Sequence, residues 1–202
     1  MSTERVTVQE SIGEQFTEAL VQRIEKVTYG SHQDDASFLM SGLFSPASAT
    51  RIISLIQEAT TQGANLLTGD LKVAGAASKI LRPHVLSSVT PEMSIFHSET
   101  FGPVVCVTAC KTDAEAIDLA NATDFSLAAA VFSKDIMRAL EVTGQVRSGS
   151  CHINGPTVYI EAPLPKAGTG GSSGYGRFGG VAFTEKKIVT LAEKGMKYPM
   201  FM

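Results

Sequence analysis

The chain has 202 residues, 44% of them hydrophobic and 18% charged, with a formal net charge of −3. Apolar content this high excludes a disordered chain, and the mild acidity excludes the strongly basic face that nucleic-acid binding demands. The length suits one globular domain, with room for a short appendage.

No apolar run approaches the ~20 residues that span a bilayer, so no membrane association is expected. The opening MSTERVTVQE lacks the cationic start and apolar stretch of a signal peptide. Three cysteines are too few, and odd in number, for a disulfide framework. They fit a reducing compartment, and a cytoplasmic protein is expected.

In chain order, Glu4 to Val8 reads as a strand rich in β-branched residues. Ser11 and Glu14 have the S-x-x-E spacing of a capping box, with Ile12, Phe16, Leu20 and Ile24 as the helical stripe behind it. A second helix is expected from Ser45-Pro46, because proline at the first helical position gives up an N–H that has no partner anyway. Ile52, Ile56 and Ala59 mark its inner face, and Gly63 its left-handed end.

Asn65 to Leu67 and Lys79 to Val85 read as extended, and Val104 to Ala109 as a strand covered on both faces. Thr112 to Glu115 forms another capping box, opening a helix through Ala114, Ile117 and Ala120. Leu127 to Phe132 is expected to be a buried strand. Ile136, Ala139, Leu140 and Thr143 mark a further helix, and Ser150 to Ile153 a further strand. Strand, helix, strand, helix, strand in succession is the pattern of βαβ units on a parallel sheet, and the fold class is α/β. Beyond Asn154, residues 155–180 are crowded with glycine and proline, a length of loop that is usually functional. Phe183 to Glu193 reads as a short helix or strand, and Lys197 to Met202 as a tail.

Few residues invite a chemical role. Gly174, Gly176 and Gly179 match G-x-G-x-x-G, but Pro163 and Pro165 precede them where a nucleotide fold would have a strand, so a close-packed surface loop is the better reading. Cys151 and His152 are adjacent on a strand and point to opposite faces. Cys106 and Cys110 read as buried thiols. His32, His84, His97 and His152 lack zinc spacing. His32 with Asp34 and Asp35 reads as a solvated turn, and Glu185, Lys186 and Lys187 as surface charges. In SETFGPVV, Glu99 and Phe101 lie two apart on what reads as an extended segment, placing a carboxylate and an aromatic ring on one side. They could offer a sugar edge two hydrogen bonds and an apolar wall, although on physics alone a simple strand-entry turn is the better reading.

These same residues carry a resemblance. SETFGPVV resembles the E-x-F-G-P-V segment of aldehyde dehydrogenases, and DAEAIDLANATDFSLAAAVFSKD is similar to the run that follows it in that family. PHVLSSVTPEM matches the stretch before it. HINGPTV and SGYGRFGG look most like members that handle aromatic aldehydes, such as salicylaldehyde and vanillin dehydrogenases. Phe125-Ser126, Tyr159-Ile160, Lys166-Ala167 and Thr169 to Gly171 depart from the family pattern.

The resemblance implies a catalytic-domain-like parallel sheet flanked by helices over residues 1–192, with residues 193–202 as a tail that makes oligomer contacts. It implies NAD or NADP as cofactor, with Glu99 and Phe101 beside the nicotinamide ribose and ring. Gly155, Pro156, Thr157, Val158, Tyr159 and Ile160 fall at the substrate mouth. In the family a MSTERV-like segment directly follows the nucleophilic cysteine, so the resemblance also implies an N-terminally truncated chain, inactive alone, with no catalytic residue of its own. The alternatives are a non-catalytic protein that pairs with itself or with a full-length relative, and an active enzyme whose gene model is clipped.

Overall fold

The computed structural model describes residues 3–74, 79–157, 172 and 187–192. They fall into two compact units, one from Thr3 to Ala116 and the other from Ile117 onward.

The first unit is built on a four-stranded sheet. Strand β1 (Arg5–Gln9) pairs in parallel with β6 (Val104–Cys110), bringing Arg5 opposite Cys106 and Gln9 opposite Cys110. β6 in turn pairs in parallel with β5 (His84–Ser87), and β2 (Asn65–Thr68) closes the order β1-β6-β5-β2 in the antiparallel sense. A small hairpin of β3 (Val73–Ala74) and β4 (Ile80–Leu81) stands apart. The extended segment expected over Lys79 to Val85 is thus split between two sheets. The break falls at Arg82-Pro83, where proline has no N–H to give a ladder.

Helix α1 (Glu10–Ile24) packs Phe16, Leu20, Val21 and Ile24 on the core of Val8, Val85 and Val107. Two expectations change here. The helix starts at Glu10 with Gln9 as its N-cap, and no side chain caps it, so the Ser11–Glu14 capping box does not form. The strand runs directly into the helix, and Ser11 already sits in its first turn. Ile12 is 51% exposed. At 3.6 residues per turn a four-residue repeat drifts about 40° per step, so positions 12 and 24 diverge by about 120° and cannot share one face.

Helix α2 (Pro46–Thr61) follows the sequence reading closely. The Ser45 hydroxyl accepts the Ser48 N–H at 3.1 Å, and Ala49, Ile52, Ile56 and Ala59 are buried. Gly63, at φ +107°, ends the helix: its N–H reaches the Thr60 carbonyl at 3.2 Å and the Ala64 N–H reaches Ala59 at 2.9 Å. That pair of reverse bonds is the Schellman arrangement. After β5 comes a single turn, α3 (Ser94–His97). Helix α4 (Asp113–Asn121) opens with Thr112 accepting the Glu115 N–H at 3.1 Å, while the Glu115 carboxylate takes the Lys111 N–H at 2.7 Å.

In the second unit, β7 (Ala128–Val131), β8 (Ser150–Ile153) and β9 (Ile188–Leu191) form a parallel sheet in that order, with α5 (Ile136–Gln145) joining β7 to β8. The expected βαβ unit is present there. The preceding one is not, because β6 and β7, on either side of α4, belong to different sheets. β8 is buried throughout, whereas β7, expected to be buried, is half-buried and has β8 as its one strand neighbour among the described residues. On α5, Ala139 and Thr143 point inward, and Leu140 is exposed.

Candidate functional site

The turn before β6 carries the two residues singled out from sequence. Its backbone is not extended: Phe101 has φ +50°, so strand alternation does not govern where Glu99 and Phe101 point. Both are exposed nevertheless, Phe101 at 75%. Thr100 between them is buried, and its hydroxyl accepts the Gly102 N–H at 3.3 Å. A Cβ on Gly102 would lie 2.3 Å from Ile52 Cδ1, so a side chain there would have to displace the tip of this buried isoleucine. The chain then enters β6, with the His84 N–H held by the Pro103 carbonyl at 2.8 Å.

Two charged side chains from distant positions hold this turn. Glu4 Oε2 accepts the Thr100 N–H at 2.7 Å and Glu4 Oε1 the Phe101 N–H at 3.0 Å. Arg51, on α2, donates through Nη2 to the Glu99 carbonyl at 3.1 Å and the Thr100 carbonyl at 2.8 Å. Sequence reasoning missed both, since each acts across 48 to 97 positions and nothing local to Glu4 or Arg51 marks the contact.

The Glu99 carboxylate has no hydrogen-bond or ion-pair partner among the described residues. Partial burial, and secondarily the Glu4 charge, push its pKa up from the ordinary value. Arg5, beside Glu4, stacks its guanidinium 4.9 Å from the Phe96 ring centroid. Burial lowers its pKa, with the Cys106 and Glu4 charges opposing.

The second unit carries the other candidate residues. Gly155, Pro156 and Thr157 leave the C-terminal end of β8, the end of a parallel sheet where ligands commonly bind. Gly155 is buried, and Pro156 and Thr157 are half-buried. Val158, Tyr159 and Ile160 lie outside the described residues, as do the Gly174–Gly179 motif, Lys166, Thr169 and the tail. Before Gly155, Asn154 adopts φ +58° and exchanges two bonds with the backbone of Ser133, each 2.9 Å.

All three cysteines are buried, and burial raises the pKa of each, Cys106 to about 12. Cys151 lies 3.7 Å from the Thr143 hydroxyl, and His152 Nδ1 bonds instead to the Thr190 hydroxyl, as their opposite directions on β8 require. His32 Nε2 contacts the Phe38 carbonyl at 2.7 Å in an exposed turn. Among the described residues no group of three His, Cys, Asp or Glu is arranged to hold a metal ion. Nor is any described helix long and apolar enough to cross a membrane.

Lys187 corrects the reading of a surface charge. Its ammonium reaches inward to the carbonyls of Thr143 (2.7 Å) and Val146, covering the C-terminal end of α5. Partial burial lowers its pKa, with the Cys151 charge opposing.

Comparison with known proteins places this architecture. The profile of the aldehyde dehydrogenase family matches residues 1–190. Vanillin dehydrogenase of Pseudomonas fluorescens is 40% identical over 99% of this chain and 41% of its own length. Salicylaldehyde dehydrogenase of Pseudomonas putida is 37% identical over 98% of this chain, again 41% of its own length. Among solved structures, salicylaldehyde dehydrogenase from Pseudomonas putida G7, complexed with salicylaldehyde, superposes with a TM-score of 0.81 at 36% identity. The match covers 89% of this chain and 36% of that one. Betaine aldehyde dehydrogenase from Staphylococcus aureus, in complex with NAD+, gives 0.75 at 33% identity over 83% of this chain and 33% of its own. The chain thus spans about two fifths of the curated relatives it matches. With parallel sheets flanked by helices and the E-x-F-G-P-V turn at the head of β6, the chain belongs to the aldehyde dehydrogenase family.

Proposed function

We propose that this chain supplies one part of an NAD(P)+-dependent oxidation of an aldehyde, preferably aromatic, to a carboxylic acid. Glu99 and Phe101 face the nicotinamide ribose and ring. Gly155, Pro156, Thr157, Val158, Tyr159 and Ile160 border the substrate mouth. The observation that carries this reading is the turn at 99–101: a carboxylate with no partner among the described residues, next to an exposed aromatic ring, on a backbone held at both faces. Such a pair fits a ribose edge and the flat ring joined to it. The bound nicotinamide would supply the hydride acceptor. The aromatic preference rests on the vanillin and salicylaldehyde dehydrogenases among the relatives.

Aldehyde oxidation of this kind also needs a reactive thiolate, and none of the three thiols suits. Each is buried and pushed toward its protonated form. The 202-residue chain assayed alone therefore turns over no aldehyde, and it resides in the cytoplasm, where free thiols persist. The test is to mix the purified chain with vanillin, salicylaldehyde or benzaldehyde and NAD+ or NADP+. Reduced nicotinamide should not accumulate, while NAD+ should perturb the NMR signals of Glu99 and Phe101. Turnover abolished by Cys106→Ser, Cys110→Ser or Cys151→Ser overturns the inactivity, and perturbation confined to other residues overturns the assignment of the turn.

A second reading, association with itself or with a full-length relative, is favoured by exposed large apolar side chains, among them Phe44 at 98% and Phe132 at 71%. Light scattering across a concentration series tests it, and a monomer throughout, with no complex on adding a relative, overturns it.

A further inference from the structure

The geometry points to Glu4 as a positioning residue: its carboxylate, seated on two successive backbone N–H groups, sets the directions in which Glu99 and Phe101 project. This rests on the reading of those two residues as the cofactor-facing pair. The peptide unit between Glu99 and Thr100 is gripped at its carbonyl by Arg51 (3.1 Å) and at its N–H by Glu4 (2.7 Å). The next unit, between Thr100 and Phe101, is gripped in the same way, at 2.8 Å and 3.0 Å. Two consecutive peptide planes are therefore fixed at both ends by side chains of opposite charge.

Such a grip has a purpose. Phe101 occupies the left-handed region, which an aromatic residue seldom adopts, and its ring is out in solvent without packing to hold it. Adjacent N–H groups that converge on one anion form a nest, and a carboxylate with two oxygens fills it by charge-assisted bonds. Glu4 is itself anchored, because its carbonyl accepts the Cys106 N–H at 2.8 Å at the head of the β1–β6 ladder. The strand pairing of β1 thus transmits a fixed position to the turn. A neutral glutamine would keep one acceptor oxygen and lose the charge. An aspartate would fall short by one methylene.

The charged neighbours of Glu4 are Arg5 on β1, Arg51 on α2, which holds the same turn, and Glu99 on the turn itself. The experiment therefore varies Glu4 and Glu99 separately and follows the Thr100 and Phe101 amides of the full chain by ¹H–¹⁵N NMR in wild type, Glu4→Gln, Glu4→Asp and Glu99→Gln. Glu99→Gln leaves both bonds to Glu4 in place, so its two amides should exchange as in wild type. Hydrogen exchange at both should quicken by at least about tenfold in Glu4→Gln and Glu4→Asp, with the β6 amides of Cys106 to Cys110 unchanged.

Amides that exchange equally in wild type and Glu4→Gln overturn the proposal. NAD+ added to each protein reads the cofactor side separately. Perturbation of Phe101 in wild type should need at least about tenfold more NAD+ in Glu4→Gln. Equal NAD+ dependence in the two overturns the positioning role. If NAD+ leaves Glu99 and Phe101 untouched in wild type while the exchange difference is intact, the cofactor reading fails and the hold of Glu4 on the turn stands.

Discussion

Asn154 and Ser133 bind each other twice: Asn154 Oδ1 accepts the Ser133 N–H and Asn154 Nδ2 donates to the Ser133 carbonyl, both at 2.9 Å. The Asn154 N–H also reaches the Val131 carbonyl at 2.9 Å, so the exit of β8 is tied to the exit of β7. Asn154→Gly keeps the φ of +58° accessible but loses the paired bonds, and should cost about 1–2 kcal/mol. Asn154→Ala loses the bonds and strains the backbone as well, adding about 1 kcal/mol. Urea denaturation of the two variants at equal slope checks the order, and an alanine variant as stable as the glycine one contradicts it.

Two glycines with nearly the same backbone should respond very differently to alanine. Gly63, at φ +107°, has nothing within 4 Å of a new Cβ, so Gly63→Ala bears only backbone strain, about 1–2 kcal/mol. Gly69, at φ +113°, would place its Cβ 2.1 Å from His84 Cδ2, inside a buried ring. Gly69→Ala adds that collision and should cost about 3–5 kcal/mol. Thermal unfolding of the pair separates strain from collision.

Burial lowers the pKa of both His84 and His152 below the ordinary 6.5. The unfolded chain then takes up protons first as pH falls through 6.5, so stability present above that value declines below it. It levels off once both folded-state histidines are charged. Urea midpoints measured at pH 7.5 and at descending pH should fall through this window. Imidazole NMR should show both rings taking up protons at lower pH than an unperturbed imidazole, and a midpoint that rises as pH falls would refute the assignment.

Lys187 should matter to folding rather than to the surface. Lys187→Met keeps much of the apolar stem but leaves the Thr143 and Val146 carbonyls at the end of α5 without the ammonium. A loss of about 1–2 kcal/mol is expected by urea denaturation.

The sequence was most legible where local chemistry decides the outcome. Ser45, Pro46 and Gly63 bracket α2 by capping and backbone geometry alone, and the apolar run of β6 announces a largely buried strand. It was misleading where a neighbour decides. The Ser11–Glu14 spacing is that of a capping box, yet β1 runs on to Gln9 and takes Ser11 past the cap position. LAAAVF has the texture of a core strand, but β7 is half-buried and ends the sheet among the described residues. Glu99 and Phe101 were recognisable in one dimension, whereas Glu4 and Arg51, which hold them, were not. Lys187 was hidden because its partners are main-chain carbonyls more than forty positions away.

The parallel pairing of Arg5 with Cys106 has a consequence for the order of assembly. β1 leaves the ribosome ahead of the other described strands, and its described ladder partner follows about 100 residues later, roughly 5–20 s at ordinary elongation rates. Until then its backbone donors and acceptors on that side must stay wet or be shielded by a chaperone. Among the described strands of this sheet the earliest made is thus the last to be paired, and a contact of such long sequence separation slows refolding accordingly.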